Sequence, residues 1–116
     1  MKAQKNPAHI LLEKHLAELG LYWLPEYRFN DVRRWRLDYL LTSWKHKSSL
    51  RIGIEIDGGV YSGGRHVRGA GFENDMRKLN TAEMQGIRVL RFSTNMVLRG
   101  EAKAFLAEHL GINHAK

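Results

Sequence analysis

With 116 residues, the chain has room for one core and is too short to divide comfortably in two, so residues 1–116 are read as a single domain. Its 43% hydrophobic and 27% charged residues are ordinary for a globular protein, and nineteen Lys and Arg against twelve Asp and Glu leave a formal charge of +7. The absence of cysteine excludes disulfides and thiolate zinc sites, and no segment has the length and apolarity of a signal peptide or a bilayer span.

Pro7 to Gly20 reads as an amphipathic helix with Leu12, Leu16 and Leu19 at helical spacing, Asn6 as its cap, Pro7 at its first position and Gly20 at its close. Glu26 to Phe29 reads as a short strand, followed by a turn at Asn30-Asp31. The basic run Arg33-Arg34-Trp35-Arg36 then enters an alternating strand, Trp35 to Leu41, that carries Asp38. Lys45 to Ser49 reads as a hairpin turn into a second alternating strand, Arg51 to Asp57. There Ile52, Ile54 and Ile56 face a core, while Glu55 and Asp57 face away from it. Gly58 to Gly71 holds six of the eleven glycines, a density that argues for a mobile loop able to approach a ligand. Phe72 to Gln85 is helical, with Phe72, Met76 and Leu79 on one side and Gly86 as its stop. A strand over Ile87 to Phe92 and a helix from about Gly100 to Leu110, burying Ala104, Phe105 and Leu106, complete an α/β order. The expected fold is a small mixed sheet of about four strands flanked by helices, with acids converging at one edge.

Hard carboxylates on neighbouring strands bind magnesium or manganese through oxygen and leave room for water and a substrate phosphate. Asp38, Glu55 and Asp57 are candidates for that chemistry, although strand acids of this kind also serve as partners of Arg36, Arg51 or Arg88. The basic balance favours a polyanion through phosphate neutralisation and counterion release, and Arg33, Arg34 and Arg36 are placed to contact phosphates. Trp35 and Trp44 could stack on bases, with core burial the stronger expectation for Trp35. His66, between Arg65 and Arg68, suits a general base, a phosphate contact or a metal neighbour; His9, His15, His46, His109 and His114 read as surface. A helical i,i+3 ion pair competes with any other role for Asp75 and Lys78.

Taken in order, Asp38, Glu55-Ile56-Asp57-Gly58-Gly59, His66, Asp75-Met76-Arg77-Lys78 and Gly86 to Phe92 resemble the PD-(D/E)XK nuclease superfamily. The chain looks closest to small phage and bacterial endonuclease-like proteins of the very-short-patch-repair type, over about Glu13 to Phe92. The resemblance implies a restriction-endonuclease-like core and magnesium- or manganese-dependent hydrolysis of DNA. It assigns Asp38 and Glu55 as the acidic pair, the Ile56 carbonyl as a further metal ligand and Glu13 as an additional acid. Asp57, which would orient water or bind a second ion, stands where the superfamily usually has lysine. Lys78 on the following helix is therefore the candidate for the cationic role, with Arg77 in reserve, and Arg65, His66 and Arg68 would grip the backbone. The alternatives are a non-catalytic nucleic-acid-binding module of the same fold and a phage protein-interaction module. A cytoplasmic protein is expected, with DNA as partner, no membrane association, and a homodimer if branched DNA is the substrate.

Overall fold

α1 (Pro7–Glu18) begins where its capping chemistry lies: the Asn6 side chain accepts the His9 N–H at 3.0 Å, and Pro7 occupies the first turn, where a missing N–H costs little. It closes at Leu19, and Gly20 turns the chain with φ +79°. In the computed structural model, which describes residues 6–44, 49–58 and 69–112, three strands follow: β1 (Leu21–Asn30), β2 (Trp35–Trp44) and β3 (Ile52–Asp57). Then come α2 (Gly69–Met84), β4 (Arg88–Ser93), α3 (Thr94–Leu98) and α4 (Glu101–Leu110). The strands form one mixed sheet in the order β1-β2-β3-β4. Its first two junctions are antiparallel, and β3 and β4 run parallel, with α2 supplying the crossover that a parallel pair needs. Among the described residues, no helix is long and apolar enough to cross a membrane.

Alternation along β3 separates the two faces of this sheet. Ile54 packs with Tyr39, Leu41 and Phe92 against Leu12 and Leu16 of α1 and Leu106 of α4, with Val97 of α3 in the same cluster. Lys103 of α4 reaches Glu18 of α1 at 2.8 Å, tying together helices whose paired residues lie 85 positions apart. The opposite face carries a smaller cluster of Phe29, Leu37, Leu40, Ala82 and Ile87 beneath α2. Gly53 belongs to this second face, where a Cβ would stand 2.5 Å from Leu37 Cδ1 and 3.3 Å from Ile87 Cγ2. Glu55 and Asp57 share its parity, so both acids rise toward α2 while the isoleucines enter the larger core.

Several elements depart from the sequence reading. β1 is ten residues long rather than four, because Pro25 is tolerated on an edge strand that pairs only with β2. Glu26, with φ +48°, and a register shift at Tyr22/Trp23 disturb the pattern that alternation would have revealed. α2 starts at Gly69, so the end of the glycine-rich stretch is helical; residues 59–68 lie outside the described ones. Its packed side is also different: Phe72 and Met76 are 44% and 47% exposed, whereas Asp75, Lys78, Leu79 and Ala82 line the half-buried stripe. In α4 the buried residues are Ala102, Leu106 and Ala107, leaving Ala104 and Phe105 on the outer side. The short α3 escaped notice because it spans five residues; Ser93 caps it, accepting the Met96 N–H at 3.1 Å.

Candidate active site

β2 and β3 pair in the register Leu41–Ile52, Leu40–Gly53, Tyr39–Ile54, and the ladder ends there. At the next step the Asp38 carboxylate replaces a strand carbonyl: its Oδ2 accepts the Ile56 N–H at 2.8 Å. Asp38 thus stands where the two strands part, beside Glu55, and close enough for its charge to bear on the Glu55 carboxyl. This contact commits one of the two Asp38 oxygens. Ile56 itself keeps its place in the parallel ladder opposite Phe92, with its side chain against the larger core.

Lys78 meets Glu55 from α2, with Nζ 2.9 Å from Oε1 and only 17% and 14% of the two side chains exposed. Burial raises the Glu55 pKa above the ordinary carboxylate value, and the Asp38 charge adds to that rise. The hydrogen bond and charge of Lys78 act in the opposite direction. A half-buried ion pair of this kind is a weak source of stability, since desolvation offsets much of its attraction. It does hold a carboxylate and an ammonium in fixed geometry, next to a second carboxylate, in partly dry surroundings.

Asp57, one step along the same face, has a different neighbour. Arg91 of β4 donates to its Oδ2 from Nε at 3.0 Å and from one terminal nitrogen at 2.5 Å, and donates to Asp75 of α2 from the other at 3.1 Å. The arginine therefore links two acids at positions about 40% exposed. Asp57 is drawn toward β4 and α2, and among the described residues no group of three His, Asp or Glu side chains is arranged to hold a metal ion. Of the three expected carboxylates, Asp57 is engaged by Arg91, while Asp38 lies close enough to Glu55 for its charge to act on it.

On the α1 side Asp38 borders a cleft of about 160 Å³ with His9, Glu13, Glu26, Arg36 and Tyr39. Tyr39 is buried, donates its hydroxyl to Glu13 Oε2 at 2.8 Å, and lies 3.2 Å from His9 Nδ1. Burial, reinforced by the Glu13 hydrogen bond, pushes the Tyr39 pKa far up, so the phenol stays protonated. The reading of His9 as a surface residue is corrected here: it is half-buried, and its i,i+4 spacing to Glu13 on the face bearing Leu12 and Leu16 was the available signal. His15 is likewise half-buried, with a buried Nδ1 that has no hydrogen-bond partner and a pKa lowered mainly by desolvation. His109 stacks on Phe105 at the surface, while His46 and His114 lie outside the described residues.

Of the proposed phosphate contacts, Arg33 and Arg34 sit exposed in the β1–β2 turn, Arg34 with φ +62°. Arg36 is exposed on β2, within 4.0 Å of Glu26. Trp35 is half-buried rather than enclosed: it stacks on Phe29 with ring centroids 6.4 Å apart, and the Arg33 guanidinium lies 5.2 Å over its ring. Arg65, His66 and Arg68 lie outside the described residues. Comparison with protein-family models, with curated proteins and with solved structures finds no match to this chain.

Proposed function

We propose that the protein is a magnesium- or manganese-dependent DNA endonuclease of the PD-(D/E)XK type with a restriction-endonuclease-like core. The observation that carries the reading is the 2.9 Å contact between Lys78 and Glu55 beside Asp38. Two acids and a lysine stand together although the lysine comes from a helix and position 57 is occupied by Asp. The donor set fits a hard cation that keeps most of its waters, since such an ion is commonly held by one or two carboxylates. Asp38 and Glu55 would hold it, with the Ile56 carbonyl as a third oxygen. When bound, the metal would polarise a phosphoryl oxygen and lower the pKa of its water.

The protein's own groups take the remaining roles. Lys78 offsets charge that builds on the phosphate, and Glu55, its pKa pushed up by burial and drawn back by that same lysine, balances the site. Arg33, Arg34 and Arg36 engage the strand through its phosphates. Asp57, paired with Arg91, positions this side of the site rather than a metal. That pairing also favours a second reading, a nucleic-acid-binding module of the same fold that performs no cleavage.

Asp38→Asn keeps an oxygen for the Ile56 N–H and removes the charge, and Glu55→Gln does the equivalent. Each variant is expected to lose about 10³-fold or more of magnesium-dependent DNA cleavage, corresponding to several kcal/mol of transition-state stabilisation, with an unchanged circular-dichroism spectrum. Wild-type rates in either variant overturn the nuclease reading. Absence of cleavage in the parent protein with magnesium and manganese, on duplex, nicked, branched and single-stranded DNA, leaves the binding module.

A further inference from the structure

Between the β1–β2 turn and α2 lies an open cleft of about 490 Å³, within the roughly 300–1,000 Å³ range of small-ligand clefts. We propose that it receives an unpaired nucleotide of a single DNA strand. The proposal rests on the nucleic-acid reading above and narrows it from DNA in general to a strand whose bases are exposed.

Three features of the lining point there. The first is charge: Arg33 and Arg77 line the cleft and no carboxylate does, in a chain with twelve acidic residues. Arg33 has no carboxylate partner among the described residues, and Arg77 has only Glu73, at 3.3 Å with both side chains more than half exposed. Such an exposed pair exchanges readily for a phosphate. The second feature is a π surface. Trp35 lines the cleft, Phe29 stacks against it, and the Arg33 guanidinium lies over its ring 5.2 Å from the centroid. A planar cation over an indole stands where a base would stack; swinging to the incoming phosphate, it uncovers the ring. The third is hydrogen-bonding capacity. Asn80 and Thr81 of α2 make no side-chain hydrogen bond to another described residue, and an amide offers both the donor and the acceptor that a base edge requires.

The cleft is also held in shape and well placed. Asn30 Oδ1 accepts the Arg33 N–H at 2.8 Å, fixing the turn from which Arg33 projects. Trp35 precedes Asp38 by three positions on β2, about 10 Å along an extended strand. Arg77 is next to Lys78 on α2. A base resting on Trp35 is therefore within about three strand positions of Asp38. Bases stacked inside a duplex present no free face to Trp35, so the cleft discriminates by strandedness.

The test is fluorescence anisotropy at low salt, in chelator, with a labelled oligothymidine and a duplex of equal length as probes. The parent protein is expected to bind the single strand more tightly than the duplex. Arg33→Ala combined with Asn80→Ala, both at exposed positions, should weaken single-strand binding about tenfold or more, and duplex binding severalfold less, since the duplex loses only the Arg33 phosphate contact. Trp35→Phe, which keeps a ring against Phe29, should retain most of the affinity, whereas Trp35→Ala should lose at least about fivefold. Equal or tighter duplex binding, or an unaltered single-strand affinity in the double variant, overturns the proposal. Because chelator silences metal-dependent cleavage, this failure is distinct from that of the nuclease reading, which the Asp38→Asn and Glu55→Gln assays decide separately.

Discussion

The α1 side of the sheet and its α2 side bury different kinds of side chain. Under α1, α3 and α4 the cluster is apolar from Ala8 and Leu12 to Leu106 and Ala107, apart from the Tyr39 hydroxyl held by Glu13. Under α2 a smaller cluster of Phe29, Leu37, Leu40, Ala82 and Ile87, with Tyr27, Trp35 and Val89 packed against it, is joined by ionic contacts through Lys78–Glu55 and Arg91 with Asp57 and Asp75. Apolar residues in place of both partners of each pair would pack that face at least as well, because half-buried ion pairs recover little beyond their desolvation cost. The difference teaches where stability and chemistry reside: one face holds the molecule together, and the other holds charges in fixed positions.

Three substitutions test that division. Leu16→Ala on the apolar face removes a fully buried side chain and should cost about 2–5 kcal/mol, read as a fall in the urea midpoint at constant slope. A loss below about 1 kcal/mol would mean that this face is not the main store of stability. Gly53→Ala intrudes on Leu37 on the α2 face and should cost about 1–3 kcal/mol, because Leu37 is fully enclosed and cannot swing aside.

Lys78→Met should act chiefly through titration. Burial already holds Glu55 above the ordinary carboxylate range, and removing the lysine deletes the influence that pulls it down, so its pKa rises further. A carboxyl that binds its proton more tightly folded than unfolded makes folding less favourable as pH rises from the unfolded value through the folded one. The variant should therefore keep losing stability to a higher pH than the parent. A carbon-detected NMR titration of Glu55 with urea midpoints between about pH 4 and 8 checks both shifts; an unmoved Glu55 would show that Lys78 does not govern it.

How much of this was legible depended on whether a signal was local. α1 could be read from Asn6 and Pro7 to Gly20, since caps and stops act within a turn. The alternation of β3 gave both the isoleucine face and the opposite placement of Glu55 and Asp57. The first half of β1 was hidden because Pro25 and the exposed Tyr22 and Leu24 look unlike a strand until the chain is seen at a sheet edge. The packed stripe of α2 was misread for a related reason. Hydrophobicity selects Phe72 and Met76, while the true stripe includes Asp75 and Lys78, whose partners lie on other elements. Arg91 as the partner of Asp57 was equally out of reach: the two are 34 positions apart, joined only by the β3–β4 register.

The bridge between Lys103 and Glu18 has a consequence for synthesis. A nascent chain presents the leucines of α1 long before the segment that covers them has been made. With the paired residues 85 positions apart, translation at about 5–20 residues per second leaves that stripe uncovered for some 4–17 s. The apolar face closes late, and during that interval the growing polypeptide is most open to chaperones and to aggregation.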